Sequence, residues 1–225
     1  MDTQHWGPSG WKLLHSIAYA YDVAHEKEYK RLFTSLQYIL PCIYCRRSYA
    51  AFLDTHPICL ESRRAFTKWF YTIHNCVNDK LRKQGYPIPP DPSLRNVDKM
   101  YSEVGITGIR GLVGKEFLYC ILFNYHVGLS ARRQKGYLQF FEALSAIWPN
   151  ERTREKIQEY MENYPLAKVM DNVERDQSIC PLKKWGHSLE LCINKGCCSY
   201  KKRCDIIERF RVKKCSGGTC RAAAL

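Results

Sequence analysis

Apolar residues return every three or four positions through most of this chain, and no stretch shows the strict alternation of a half-buried strand. "GPSGWKLLHSIAYAY" sets Trp11, Leu14, His15, Ala18 and Tyr19 on one helical face, with Pro8 suited to the first turn. "KEYKRLFTSLQYIL" repeats the pattern with Tyr29, Leu32, Phe33, Leu36, Ile39 and Leu40, and Pro41 ends it. "CIYCRRSYAAFL" continues as a third helix. The fourth, "SRRAFTKWFYTIHNCVNDKLRKQG", turns Phe66, Phe70, Ile73, Val77 and Leu81 inward and meets Gly85 as a C-terminal stop. "YPIPPDPS" then leads the chain out of the unit. Four helices with short connections predict an antiparallel bundle. From Gly105 to about Gln177 the period is again helical, in "KEFLYCILFNYHV", "YLQFFEALSAIW" and "TREKIQEYMENY". The predicted class is all-α.

Composition divides the chain further. Its 225 residues, 45% hydrophobic, suffice for a buried core. No apolar run is long enough to span a bilayer, and the polar N-terminus lacks the apolar region of a secretory signal peptide. Of the net charge of +13, residues 180–225 carry +8 and residues 101–179 none. Seven of the twelve cysteines also fall after residue 179. The expected organisation is a bundle domain over 1–104, a helical domain of unknown role over 105–179, and a basic Cys-rich tail over 180–225.

Chemistry concentrates first at "LPCIYC". At a helix N-terminus, Cys42 and Cys45 lie one turn apart and can close a reducible disulfide, with the helix dipole, Arg46 and Arg47 favouring a thiolate. A CxxC pair can also be half of a zinc site, or a coincidence. Zinc needs a second close pair, and Cys59 and Cys76 have the wrong spacing for one. A thioredoxin-like reading would need a preceding strand, which the pattern lacks. A redox role here requires an electron acceptor that a helical bundle can hold.

The fourth helix carries "HNCVNDKL", with His74 and Asn78 one turn apart and Asn75 and Val77 beside them. Buried polar groups need partners, so these are either satisfied core side chains or contacts to a ligand. Lys80 and Lys83 follow, and the set suits a heteroaromatic ring system bearing phosphates. Trp11, one turn before His15, can stack on a flat ring or simply fill the core.

"WGPSGWKLLH", "PCIYC" and "HNCVNDKL", in this order and spacing, resemble the Erv/ALR family of FAD-linked sulfhydryl oxidases, most closely those of large DNA viruses. The resemblance covers roughly residues 5–101. It implies an FAD-binding four-helix bundle with a short fifth helix, and a homodimer. It also implies a thiol oxidase that forms disulfides in protein substrates. Cys42 meets reduced cysteine-containing proteins, Cys45 faces FAD, and molecular oxygen is the final acceptor, yielding hydrogen peroxide. Trp11 and His15 are expected on the flavin and its adenine or ribose side, and His74, Asn75, Val77, Asn78, Lys80, Leu81 and Lys83 on the nucleotide portion, with Gly7 and Tyr49 further cofactor-binding candidates. Tyr101 stands where the family brings a Trp to the cofactor. No cysteine lies between Val77 and Tyr119, so the family's disulfide after the HN motif has no counterpart.

The tail admits several roles. By resemblance, a mobile second cysteine pair relays electrons, and Cys215 and Cys220 in "CSGGTC" suit it. The tail cysteines can equally staple a small module. A zinc site from His187, Cys192, Cys197, Cys198 and Cys204, or nucleic-acid docking by the basic charge, fits less well because the spacings match no common finger. No metal site is therefore expected, and nucleic acid is not an expected partner. A Cys-rich zinc or nucleic-acid interaction protein is the alternative for the whole chain. With neither signal peptide nor membrane span, the resemblance points to host cytoplasm at viral assembly sites, or to the virion.

Overall fold

The computed structural model describes residues 1, 3–108, 111–194 and 197–211, and among these the regular structure is entirely helical. Helix α1 spans Thr3–Tyr19, α2 Glu26–Ile39, α3 Ile43–Thr55, α4 Arg63–Lys83 and α5 Leu94–Gly108. After them come α6 Lys115–Phe123, α7 Ala131–Ala146, α8 Glu151–Asn163, α9 Leu166–Arg175, α10 Cys180–Ile193 and α11 Tyr200–Arg209.

Local signals set most boundaries in the first half. Ser62 caps α4 by accepting the Ala65 amide at 3.1 Å, and Gly85 leaves the helix at φ +82°, a left-handed conformation that suits glycine. The inward positions of α2 are buried as the period requires. Pro8 is different: α1 begins at Thr3, so the proline lies inside the helix rather than in its first turn. Tertiary packing accounts for the extension. Trp6 is buried against Phe117 of α6, and Ser9 bonds both Glu116 and the Phe117 amide. Gly10 sits so close to the Phe117 ring that an added Cβ would lie 3.0 Å away.

An edge-to-face cluster of Phe33, Phe66, Trp69 and Phe70 joins α2 to α4. Tyr49 of α3 reaches back to the Phe33 carbonyl at 3.0 Å. Helix α5 is tied to α1 by the Tyr19 hydroxyl, which donates to Asp98 at 2.7 Å.

The later helices share this core. Helix α7 lies along α2, α6 lies against α1, and α10 packs on α6, α8, α9 and α11. One buried apolar cluster runs from Trp6 to Ile207. The sequence reading assigned no element beyond residue 179, yet α10 and α11 bury Leu182, Trp185, Leu189 and Ile207. Between them Arg203 and Glu190 form a buried ion pair at 2.6 Å, joined by the Tyr119 hydroxyl at 2.6 Å. Such a pair is tolerated because every charged oxygen has a donor.

Candidate functional site

Cys42 is the N-cap of α3, in extended conformation, with Cys45 in the first turn after it. Both are present as thiols. The Cys42 thiol is lowered to about 6. A hydrogen bond from the Cys45 side chain is the main cause, aided by the amides of Cys45 and Tyr44 and by the charge of Lys80, against the opposing effect of burial. The thiol closes no full capping bond, but these amides are the ones a helix leaves unsatisfied, so they favour negative charge at the N-cap.

The cations differ from the sequence expectation. Arg47 is exposed, and Arg46 turns its Nη1 to the Leu40 carbonyl at 2.7 Å while staying within electrostatic reach of both sulfurs. A further cation acting on Cys42 is Lys80, from α4, whose Nζ also meets Ser48 Oγ at 2.6 Å.

Behind the pair lies an apolar cavity of about 80 Å³. Cys45 is in its wall and Cys42 is not. Gly7, Trp11, Tyr49, Val77 and Lys80 line it with Cys45. Phe70, read from the sequence as an inward position, also belongs to the wall, as do Trp6, Ser48 and Phe117, which were not singled out. Trp6 shares helical spacing with Gly10 and Leu14, a signal hidden by starting α1 at Pro8. Nothing local could link Phe117 to a motif more than a hundred residues earlier.

Beside the cavity stands an aromatic array. The Trp11 indole stacks on His74 at 3.7 Å and 9°, and Tyr101 stacks on His15 at 4.9 Å. His15 Nε2 and His74 Nδ1 are 3.0 Å apart. Burial, then the neighbouring His74, brings His15 down to about 3, and burial brings His74 down to about 4 despite Asp91. Both rings are therefore neutral near pH 7. His15 Nδ1 and Trp6 Nε1 are buried without a partner. In a native core such an atom costs about 1–3 kcal/mol, which a ligand atom at that position would offset.

The remaining expected contacts are more scattered. Asn78 donates to Asp91 at 2.6 Å, and Asp91 is held by Arg82 at 2.8 Å. Asn75 and Leu81 are half-buried on α4 outside the cavity wall, and Lys83 is exposed. Cys215 and Cys220 lie outside the described residues. His187 Nε2 donates to the Cys198 carbonyl at 2.9 Å, with Cys197 Sγ 3.7 Å from the same nitrogen. Among the described residues no three His, Cys, Asp or Glu side chains gather as a metal site, and no helix is long and apolar enough to cross a membrane.

The sequence model of the Erv1 / Alr family matches residues 8–100. A probable FAD-linked sulfhydryl oxidase, R368, of Acanthamoeba polyphaga mimivirus is 38% identical over 85 residues, which take in 35% of this chain and 59% of that protein. The FAD-linked sulfhydryl oxidase of African swine fever virus is 33% identical over 86 residues, 36% of this chain and 71% of the viral protein. The mitochondrial FAD-linked sulfhydryl oxidase ERV1 of Saccharomyces cerevisiae is also 33% identical, over 36% of this chain and 46% of its own length. The matched segment thus spans less than two thirds of the mimivirus protein. No solved structure matches.

Proposed function

Because the chain belongs to the Erv1 / Alr family, we propose that it is a flavin-dependent thiol oxidase that forms disulfides in protein substrates through Cys42 and Cys45. The observation that carries this reading is the division of the pair: Cys45 lines the cavity, while Cys42 caps α3 outside it.

The residues present fit FAD. Apolar walls and the Trp11 indole suit a flat ring, the unpartnered Trp6 Nε1 belongs to a wall residue, and the unpartnered His15 Nδ1 lies in the array beside the cavity. Trp11, His15, Tyr49 and Tyr101 would hold the ring side. His74, Asn75, Val77, Asn78, Lys80, Leu81 and Lys83 would serve the nucleotide, the lysines opposing phosphate charge. Bound there, FAD supplies a two-electron acceptor for the dithiol, with oxygen as the terminal acceptor and hydrogen peroxide as product.

In the oxidised chain, a substrate thiolate attacks Cys42 Sγ. The Cys42–Cys45 bond breaks, and Cys45 departs as a thiolate with the bonding electrons. A second substrate thiolate attacks the mixed disulfide, and Cys42 leaves in turn. The substrate becomes a disulfide, and the chain holds two more electrons as a dithiol. Access selects Cys42 for attack, since Cys45 faces the cavity. The thiolate at Cys42 is stabilised by Cys45, the α3 amides and Lys80, which favours the reduced pair and makes the disulfide a stronger oxidant.

Beyond the chemistry, residues 1–104 act as the catalytic unit, residues 105–179 brace it, and Cys215–Cys220 in the tail relays electrons to Cys42. The chain works as a homodimer in host cytoplasm at viral assembly sites, or in the virion. The test is direct. Purified protein should be yellow, release flavin on denaturation and consume oxygen with dithiothreitol. A colourless protein that FAD cannot reconstitute contradicts the proposal.

A further inference from the structure

Helix α2 has no basic residue in its last turn, and Pro41 follows its C-cap Leu40 at once. Its terminal carbonyls therefore depend on donors from elsewhere. Two arginines supply them. Arg46 of α3 donates Nη1 to the Leu40 carbonyl at 2.7 Å. Arg133 of α7 donates Nε to the Tyr38 carbonyl at 2.9 Å.

Arg133 reaches this position because α7 lies against α2 at close range. Gly136 faces Tyr38 so tightly that an added Cβ would lie 2.7 Å from the Tyr38 Cβ. Arg132 donates to the Tyr38 hydroxyl at 3.0 Å, so the residue is held at both ends. Arg133 Nη2 is buried without a partner. A half-buried guanidinium is costly there unless its charge is useful to its surroundings.

The surroundings are the redox pair. The Tyr38 and Leu40 carbonyls form the negative end of the α2 dipole, and Cys42 lies two residues beyond Leu40. Uncapped, that end opposes a thiolate at Cys42, while the N-terminus of α3 favours it. The charged groups around the pair are Cys45 and Arg46 on α3 and Lys80 on α4, and Arg46 in turn feels Arg133 and Tyr137 of α7.

We propose that Arg133 is a positioning residue for the Cys42–Cys45 pair, capping the negative end of α2 from α7 and so setting the field in which Cys42 ionises. The helices beyond the family-matched segment thereby tune the thiol chemistry inside it. This inference rests on the thiol-oxidase reading for its purpose, but its measurement does not need a working oxidase.

The experiment uses the reduced full-length chain. Alkylation of Cys42 by iodoacetamide is followed against pH, with the Cys42 peptide quantified by mass spectrometry and the fold checked by circular dichroism. Arg133→Gln should raise the midpoint by about 0.5–1 pH unit. Arg133→Lys, which keeps the charge, should leave it at the wild-type value. Arg132→Gln, a change at the other end of Tyr38, should not move it. A folded Arg133→Gln protein with the wild-type midpoint overturns the proposal. Should Arg133→Gln not fold, Gly136→Ala, whose Cβ would push α7 off Tyr38, decides: a raised midpoint sustains the proposal, and the wild-type midpoint overturns it. Absence of thiol oxidation in the wild type would sink the functional reading alone, leaving the midpoint comparison valid.

Discussion

His15 Nε2 meets His74 Nδ1 at 3.0 Å, joining two helices through residues 59 positions apart. Since both rings are neutral, one proton lies between them, and the second nitrogen of His15 is left facing its surroundings without a partner. The pair is thus a rigid, uncharged wall with one polar atom still to satisfy.

The pair makes stability pH-dependent. In the unfolded chain each histidine protonates near its ordinary 6.5, whereas the folded values are about 3 for His15 and about 4 for His74. Below pH 6.5 the unfolded state takes up protons that the folded state refuses. Stability from these groups is complete above that pH and falls with acidification, by about 1.4 kcal/mol per pH unit for each ring. Urea denaturation of flavin-free protein should show this fall between pH 6.5 and 4.5, and His15→Phe should remove about half of it. Identical pH slopes for the variant and wild type would sink the assignment.

Cys42 should ionise well below an ordinary thiol. Alkylation of the reduced protein should give a midpoint near pH 6 at Cys42. Because the Cys45 hydrogen bond is the largest cause, Cys45→Ala should raise that midpoint more than Lys80→Met does. The reverse order would show that charge, rather than the neighbouring thiol, governs Cys42.

Replacing Cys45 with serine should separate chemistry from binding. Cys45→Ser leaves the cavity wall nearly unchanged in size but removes the sulfur facing it. Oxygen consumption with dithiothreitol should fall at least ~100-fold while bound flavin, measured by absorbance, is retained. Wild-type turnover in this variant is incompatible with the proposed role.

The buried Arg203–Glu190 pair tests how far the last helices support the fold. Glu190→Ala leaves Arg203 buried without its carboxylate and leaves the Tyr119 hydroxyl only the Gly186 carbonyl, at 3.4 Å, as acceptor. Equilibrium unfolding should show a loss of about 3–5 kcal/mol. A loss under about 1 kcal/mol would mean that α10 and α11 contribute little to the cooperative unit.

Much of this was readable along the chain. The helical period located α2 and α4, and Gly85 closed α4, because these are properties of a few adjacent residues. Two of the motifs named most of the array, since Trp11 and His15 lie one turn apart on α1 and His74 lies on α4. The period could not say which sulfur faces inward: Cys45 is in the cavity wall because α3 packs against α2 and α4 in one orientation. Nor could it show that Lys80, from another helix, joins the adjacent Arg46 in acting on Cys42. Asn78, expected on a nucleotide, donates to Asp91 because the proline-rich loop folds back along α4. The burial of α10 and α11 and the cap from Arg133 depend on contacts between residues far apart in sequence. Sequence by itself determined the helices and the kinds of chemistry present, because both are local. Tertiary packing decided direction, partner and charge environment, because these exist only once distant helices meet.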